Sequence, residues 1–180
     1  TAEKKDSQGL CFVGKVHLPD FLQQRLETKK GKVIEIPATS PIFKNGFEAD
    51  DFPNLSAHYN LSPDLGEVIG EHKGAHYYTI GQRKGLNLGG YEKPLFVIGT
   101  DTGENIIYTG MGEDHPGLYG KGLFVTKDDI HWVRNDQTMV IGESRKYWAR
   151  VRYRQPLVPC TLHQRKEGLY VIFDLPQKSI

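Results

Sequence analysis

Lys146-Tyr147-Trp148-Ala149-Arg150-Val151-Arg152-Tyr153-Arg154 reads as a single β-strand. Side chains alternate across a strand with period two, so Tyr147, Ala149, Val151 and Tyr153 share one face while Lys146, Trp148, Arg150, Arg152 and Arg154 share the other. One face is fit to pack, and the other presents cations around an indole. The same period continues downstream, predicting strands over 158–164 and 168–174 joined by the turn Arg165-Lys166-Glu167-Gly168. Upstream it predicts strands over 67–70, 75–80, 94–100, 105–110, 121–126 and 129–134, with Asp101-Thr102-Gly103-Glu104-Asn105 as a hairpin turn.

Before residue 67 the pattern changes. A helix is predicted over 19–28, with Pro19 at its first position, Asp20 in the first turn and Leu18, Phe21, Leu22 and Leu26 on one stripe. A short β-branched strand follows over 32–36. Residues 37–65 are rich in Pro, Asn, Asp and Ser and lack a period, which reads as a long surface insertion whose Ile42, Phe43, Phe47, Phe52, Leu55 and Tyr59 pack it onto the body. The glycine-rich stretch 110–122 is the expected domain boundary, placed near Leu118. The expected fold is mainly β with a short helical segment: a small central α+β domain, then an antiparallel β-barrel that is either open or cut short, because no closing strand is evident after Pro176.

Composition narrows the function classes. The chain has 180 residues, 38% of them apolar, enough to bury a sizeable core. Lys plus Arg number 23 against 22 for Asp plus Glu, so any basic surface must be local. No apolar run is long enough to span a membrane and the first residues are polar, giving the expectation of a soluble, cytoplasmic protein without a membrane partner. The two cysteines, Cys11 and Cys160, are too few and too far apart for a disulfide scaffold or a thiolate metal site. His72 and His76 are four apart, but Gly70 and Gly74 argue against the helix that would make them converge, so no metal is expected there.

Three constellations could carry chemistry. The polar face of 146–154 could neutralise phosphates and stack a base, or could equally be a solvated face with Trp148 shielded by arginine stems. The stretch Tyr78-Thr79-Ile80-Gly81-Gln82-Arg83-Lys84-Gly85-Leu86 brackets an amide and two cations with glycines. Arg83 could fork onto a phosphate and Gln82 could read a base edge, or the loop could be a turn with solvated cations. Its spacing is not that of a Walker loop. Cys11 lies near Lys4, Lys5 and Lys15, which could favour a thiolate, although a small buried apolar residue fits the spacing as well. Cys160 sits in an alternating strand and reads as core.

Together, Lys5-Asp6-Ser7-Gln8-Gly9-Leu10-Cys11-Phe12-Val13-Gly14, then Gly70-Glu71-His72-Lys73-Gly74 leading into Tyr78–Leu86, then Val151-Arg152-Tyr153-Arg154-Gln155 with Pro159-Cys160-Thr161, resemble the tRNA-specific 2-thiouridylases in that order. The resemblance extends over nearly the whole chain, except that residues 37–65 are longer than the family's usual connection. It implies a parent enzyme with an amino-terminal ATP pyrophosphatase domain, a central domain and a carboxyl-terminal barrel resembling an elongation-factor domain. On that reading residues 1–14 are the tail of the catalytic domain, 15–118 the central domain and 119–180 a truncated barrel.

The implied reaction is 2-thiolation of the wobble uridine of tRNA. ATP adenylates the uracil O2 and a persulfide sulfur then displaces AMP at C2. Cys11 matches the persulfide-carrying cysteine. ATP and Mg2+ would bind the missing domain and none would bind here, so the fragment alone is expected to be inactive. The implied partners are tRNA and a sulfur-donor protein, either a persulfide relay or a cysteine desulfurase. Contacts to tRNA are expected from Gln82, Arg83, Lys84, Arg150, Arg152, Arg154 and Gln155. Two other readings compete: a non-catalytic RNA-binding β-barrel module, and a protein-interaction domain that docks a partner through 37–65.

Overall fold

The computed structural model describes residues 28–44, 48–152 and 155–180. Cys11, Phe47, Tyr153, Arg154 and all but the last residue of the helix expected over 19–28 lie outside the described residues.

The described chain is mostly β, with a single short α-helix and two four-stranded sheets. The first sheet contains β1 (Gly31–Glu35), β2 (Glu67–His72), β3 (Leu95–Asp101) and β4 (Ile106–Met111) in the order β2-β1-β4-β3, with β1 and β4 parallel and the other pairs antiparallel. Five successive residues of β3 and five of β4 are buried, the signature of strands covered on both faces. One face carries Ile34, Ile36, Phe96, Ile98, Ile106, Tyr108 and Leu118, and the other Val33, Leu95, Val97 and Ile107.

The second sheet is antiparallel throughout. It holds β5 (Tyr119–Thr126), β6 (Ser144–Ala149), β7 (Val158–Gln164) and β8 (Gly168–Lys178) in the order β5-β8-β7-β6. Its inner face is formed by Leu123, Val125, Tyr147, Cys160, Leu162, Leu169, Val171 and Phe173, and is covered by Ile130, Trp132, Met139 and Ile180.

Two predicted strands are absent. Over 75–80, Gly74 takes φ 148° and the amides of Tyr77 and Tyr78 turn back to the carbonyls of Gly74 and Ala75, making a short 3-10 turn. Over 129–134, Ile130 and Trp132 do face the core, but a turn at Thr126–Asp129 takes the segment away from any ladder. In both, alternation records burial on one side without a neighbouring strand to pair with. The strand expected over 146–154 ends at Ala149, because a turn closed by the Gln155 amide on the Arg152 carbonyl bends the chain.

Residues 37–65 pack against both sheets. β1 and β2 are antiparallel neighbours, a pair that two residues could join, yet the chain between them runs from residue 36 to 66. Phe43 meets Tyr59 and His115 edge-on at 4.9 and 5.1 Å, and Leu61 and Leu65 pack on the first sheet. The helix α1 (Phe52–Ser56) is capped by the Asp51 carboxylate, which accepts from the Asn54 amide, and carries Pro in its first turn. It reaches the second sheet, where Phe52 stacks on His163 at 4.1 Å, lies 6.0 Å from Tyr170 and takes the Arg165 guanidinium over its ring at 5.1 Å. Phe43, Phe52, Leu55 and Tyr59 thus pack as expected.

His115 locks the first sheet to this insertion. It is 1% exposed, its Nε2 is 2.9 Å from the Ile36 carbonyl, and its Nδ1 accepts from the Gly117 amide at 3.1 Å. That pair of contacts sets the Nε2–H tautomer, and burial lowers the ring's pKa.

Candidate nucleic-acid interface

The loop after the 3-10 turn at residues 75–77 lies against the first sheet, with Tyr78, Leu86, Leu88 and Tyr91 on its apolar side. Its base is pinned to β3: the Gly81 amide donates to the Val97 carbonyl at 2.7 Å and the Val97 amide to the Gln82 carbonyl at 2.9 Å. Gly81 has φ 85°, and a Cβ there would meet the Ser179 hydroxyl, so both conformation and close approach require glycine. The Gln82 side chain accepts from the Thr79 amide and donates to the Lys84 carbonyl, while the Tyr78 hydroxyl donates to the Gly85 carbonyl. Gln82 therefore shapes the loop from within, half-buried, and Arg83 and Lys84 stand exposed at its tip.

The edge strand β6 alternates as its sequence requires. Ser144, Lys146 and Trp148 are exposed while Arg145, Tyr147 and Ala149 are half-buried. Arg150 and Arg152 continue the exposed set beyond the strand. The Gln155 side-chain oxygen accepts from the Arg152 amide at 3.1 Å and holds the turn. The Arg152 guanidinium donates to the carbonyls of Ile80 and Ser179, both at 3.2 Å. One side chain thus joins the basic turn, the start of the Arg83–Lys84 loop and the carboxyl-terminal residues, bringing together two segments that are far apart in sequence. Sequence reasoning missed the Ile80 and Ser179 acceptors, since a backbone carbonyl leaves no side-chain signature.

A cleft of about 510 Å³ opens between the sheets beside this junction, with Tyr59, Asn60, Ile80, Asp101, Tyr119 and Ile180 among its walls. Among the described residues, no lysine or arginine lines it. Among the described residues, no group of three His, Cys, Asp or Glu side chains could hold a metal ion. His72 accepts from the Gly74 amide at 2.9 Å and lies edge-on to Tyr78, whereas His76 is exposed against Tyr77, so the two do not converge. Burial lowers the His72 pKa. Cys160 is 2% exposed on the inner face of the second sheet and burial raises its thiol pKa, making it the core residue expected. Among the described residues, no helix is long and apolar enough to cross a membrane.

Two family profiles match, one described as a tRNA methyl transferase PRC-barrel domain over residues 59–111, the other as an aminomethyltransferase beta-barrel domain over 123–180. A tRNA-specific 2-thiouridylase of Christiangramia forsetii is 55% identical over 185 aligned residues, covering 100% of this chain and 47% of that relative. The chain belongs to the tRNA-specific 2-thiouridylase family. The 2-thiouridylase of Flavobacterium johnsoniae is 52% identical over the same shares, and that of Karelsulcia muelleri is 44% identical over 99% of this chain and 45% of its own length. The chain thus spans about half the length of the 2-thiouridylases it matches. Residues 37–58 lie outside both profiles, whereas the alignments to the first two of these relatives cover the whole chain, residues 37–65 included.

Proposed function

We propose that this chain is the tRNA-handling part of a uridine 2-sulfurtransferase. It would hold tRNA for ATP-dependent 2-thiolation of the wobble uridine and carry the persulfide on Cys11. The observation that supports this best is the Arg152 junction, which couples the Arg83–Lys84 loop to the Arg150–Arg152 turn. Four cations, Arg83, Lys84, Arg150 and Arg152, would contact the tRNA backbone, with Arg154 adding a fifth. Gln82 and Gln155 act here by shaping the loops that carry them. The separation of the strands into two sheets supports a domain division near Leu118.

Two amides at the start of the Gly81–Gly85 loop are already engaged within the chain. The amides of Gly81 and Gln82 are donated to the Val97 and Thr79 carbonyls and so form no anion nest. No step that uses ATP is therefore assigned to these residues. A sulfur-donor protein would charge Cys11, a polarisable nucleophile suited to attack an activated uracil C2.

Binding of transcribed tRNA to the 180-residue chain, measured by anisotropy between 50 and 200 mM salt, tests the interface. Binding should weaken steeply with salt, and Arg83→Ala with Lys84→Ala should lower the slope of log K against log salt by about 2, roughly one per phosphate contact. Salt-insensitive binding, or an unchanged slope in the double variant, would refute the interface. Peptide mass spectrometry after exposure to a cysteine-desulfurase persulfide donor tests the cysteine. Added sulfur on Cys11 and none on buried Cys160 is expected, and labelling of both or neither would count against the assignment.

A further inference from the structure

The proposed interface leaves Trp148 unused. Its indole is 67% exposed, whereas the chain's other tryptophan, Trp132, packs on the core of the second sheet. The strand prevents Trp148 from doing likewise. Tyr147 and Ala149 occupy the inner face, with Tyr147 opposite Cys160, and the two-residue period then forces position 148 outward. Along β6 the ring has Lys146 on one side, about 7 Å away by strand rise, and Arg150 follows just past the end of the strand. Across the ladder it faces Pro159, with Thr161 next on the same face, and Leu157 is exposed beside Pro159. The result is a flat π-surface on an edge strand, with a cation two residues before it and another two residues after it.

That arrangement matches the chemistry of a nucleic-acid strand whose base is out of a helix. The base offers a π-face to the indole and its flanking phosphates fall within reach of a lysine or arginine. A base paired within a duplex is stacked on its neighbours and cannot lie on the ring. A protein partner could use the indole, but the flanking cations favour an anionic ligand. We propose that Trp148 is a stacking platform for one unpaired nucleobase of the bound RNA, with Lys146 and Arg150 taking the adjoining phosphates. The inference rests on the reading that this chain binds tRNA.

The test compares a hairpin RNA bearing an unpaired loop with a blunt duplex of the same stem, each titrated into the 180-residue chain. RNA affinity is read by anisotropy of a label on the RNA, and the indole by its fluorescence in wild type and in a Trp132→Phe variant. The hairpin should quench Trp148 and the duplex should bind without quenching. Trp148→Ala should weaken the hairpin about 5- to 150-fold while changing the duplex less than twofold, and Trp148→Phe should restore most of the loss. Because Trp148 is exposed, the Ala variant should keep its unfolding midpoint, and the affinity comparison stands even if Trp132→Phe fails to fold. Hairpin binding without quenching and without loss in Trp148→Ala would overturn the platform, leave RNA binding intact and hand this face to a protein partner. Equal quenching by the duplex would also overturn it. Absence of binding to either RNA would remove the reading on which it rests.

Discussion

Phe52→Ala removes the ring by which the insertion grips the second sheet, through its stack on His163, its contact with Tyr170 and the Arg165 guanidinium above it. Truncating a fully buried Phe costs about 3–5 kcal/mol. Phe52 is only half-buried, which brings the expected loss to roughly 2 kcal/mol. Within that, ring stacking contributes about 0.5–1.5 kcal/mol and the cation over the ring about 0.5–1 kcal/mol. Phe52→Leu keeps most of the apolar area but loses both ring terms, so its loss should be roughly 1 kcal/mol. The assay is urea unfolding at equilibrium, with thermal unfolding as a second reading. For a chain of this length, 2 kcal/mol lowers Tm by about 4–8 °C. Hydrogen exchange at the Leu55 amide, bonded to the Asp51 carbonyl at 2.9 Å, reports whether α1 opens by itself before the sheets do. A loss below about 0.5 kcal/mol in the Ala variant, or equal losses in Ala and Leu, would refute the clamp.

Two further predictions concern the histidines and the packing around them. His72, His115 and His163 have pKa values lowered in the folded chain, first by burial, so the unfolded chain takes up protons that the native one excludes. Stability should therefore be flat with respect to these groups above about pH 7 and fall as pH drops through the unfolded value near 6.5. For buried His72 and His115 the limiting slope is about 1.4 kcal/mol per pH unit each. Urea midpoints measured from pH 8 to pH 5 check this, and a midpoint that rises on acidification would contradict it. Gly110→Ala places a Cβ about 2.5 Å from the His115 ring, which is held on both nitrogens and cannot move away. It should cost about 1–3 kcal/mol by the same assay, and a neutral result would mean that His115 is free to shift.

How far the sequence was legible depends on whether a signal was local. The alternation in β6 separated Lys146 and Trp148 from Tyr147 and Ala149 correctly, because strand geometry fixes that segregation residue by residue. The same rule failed over 75–80 and 129–134, where Tyr78, Ile130 and Trp132 pack inward from segments that have no strand to pair with. Alternation reports a buried side, whereas a strand also needs a neighbour for its backbone groups. Residues 37–65 stood out by composition and lack of period, and Phe43, Phe52, Leu55 and Tyr59 were rightly expected to pack. Their partners, His115 in the connection after β4 and His163 on β7, had no signature in the sequence.

The sequence by itself determined the β class, the faces that Lys146, Tyr147, Trp148 and Ala149 occupy in β6, and the order of motifs that marks the 2-thiouridylase family. These properties follow from period, composition and residue identity along the chain. Only the tertiary structure decided that Gln82 turns into its own loop and that one arginine, Arg152, joins the two basic segments through the carbonyls of Ile80 and Ser179. Those contacts unite residues up to 99 positions apart on backbone atoms that every residue carries, so no local pattern could have announced them.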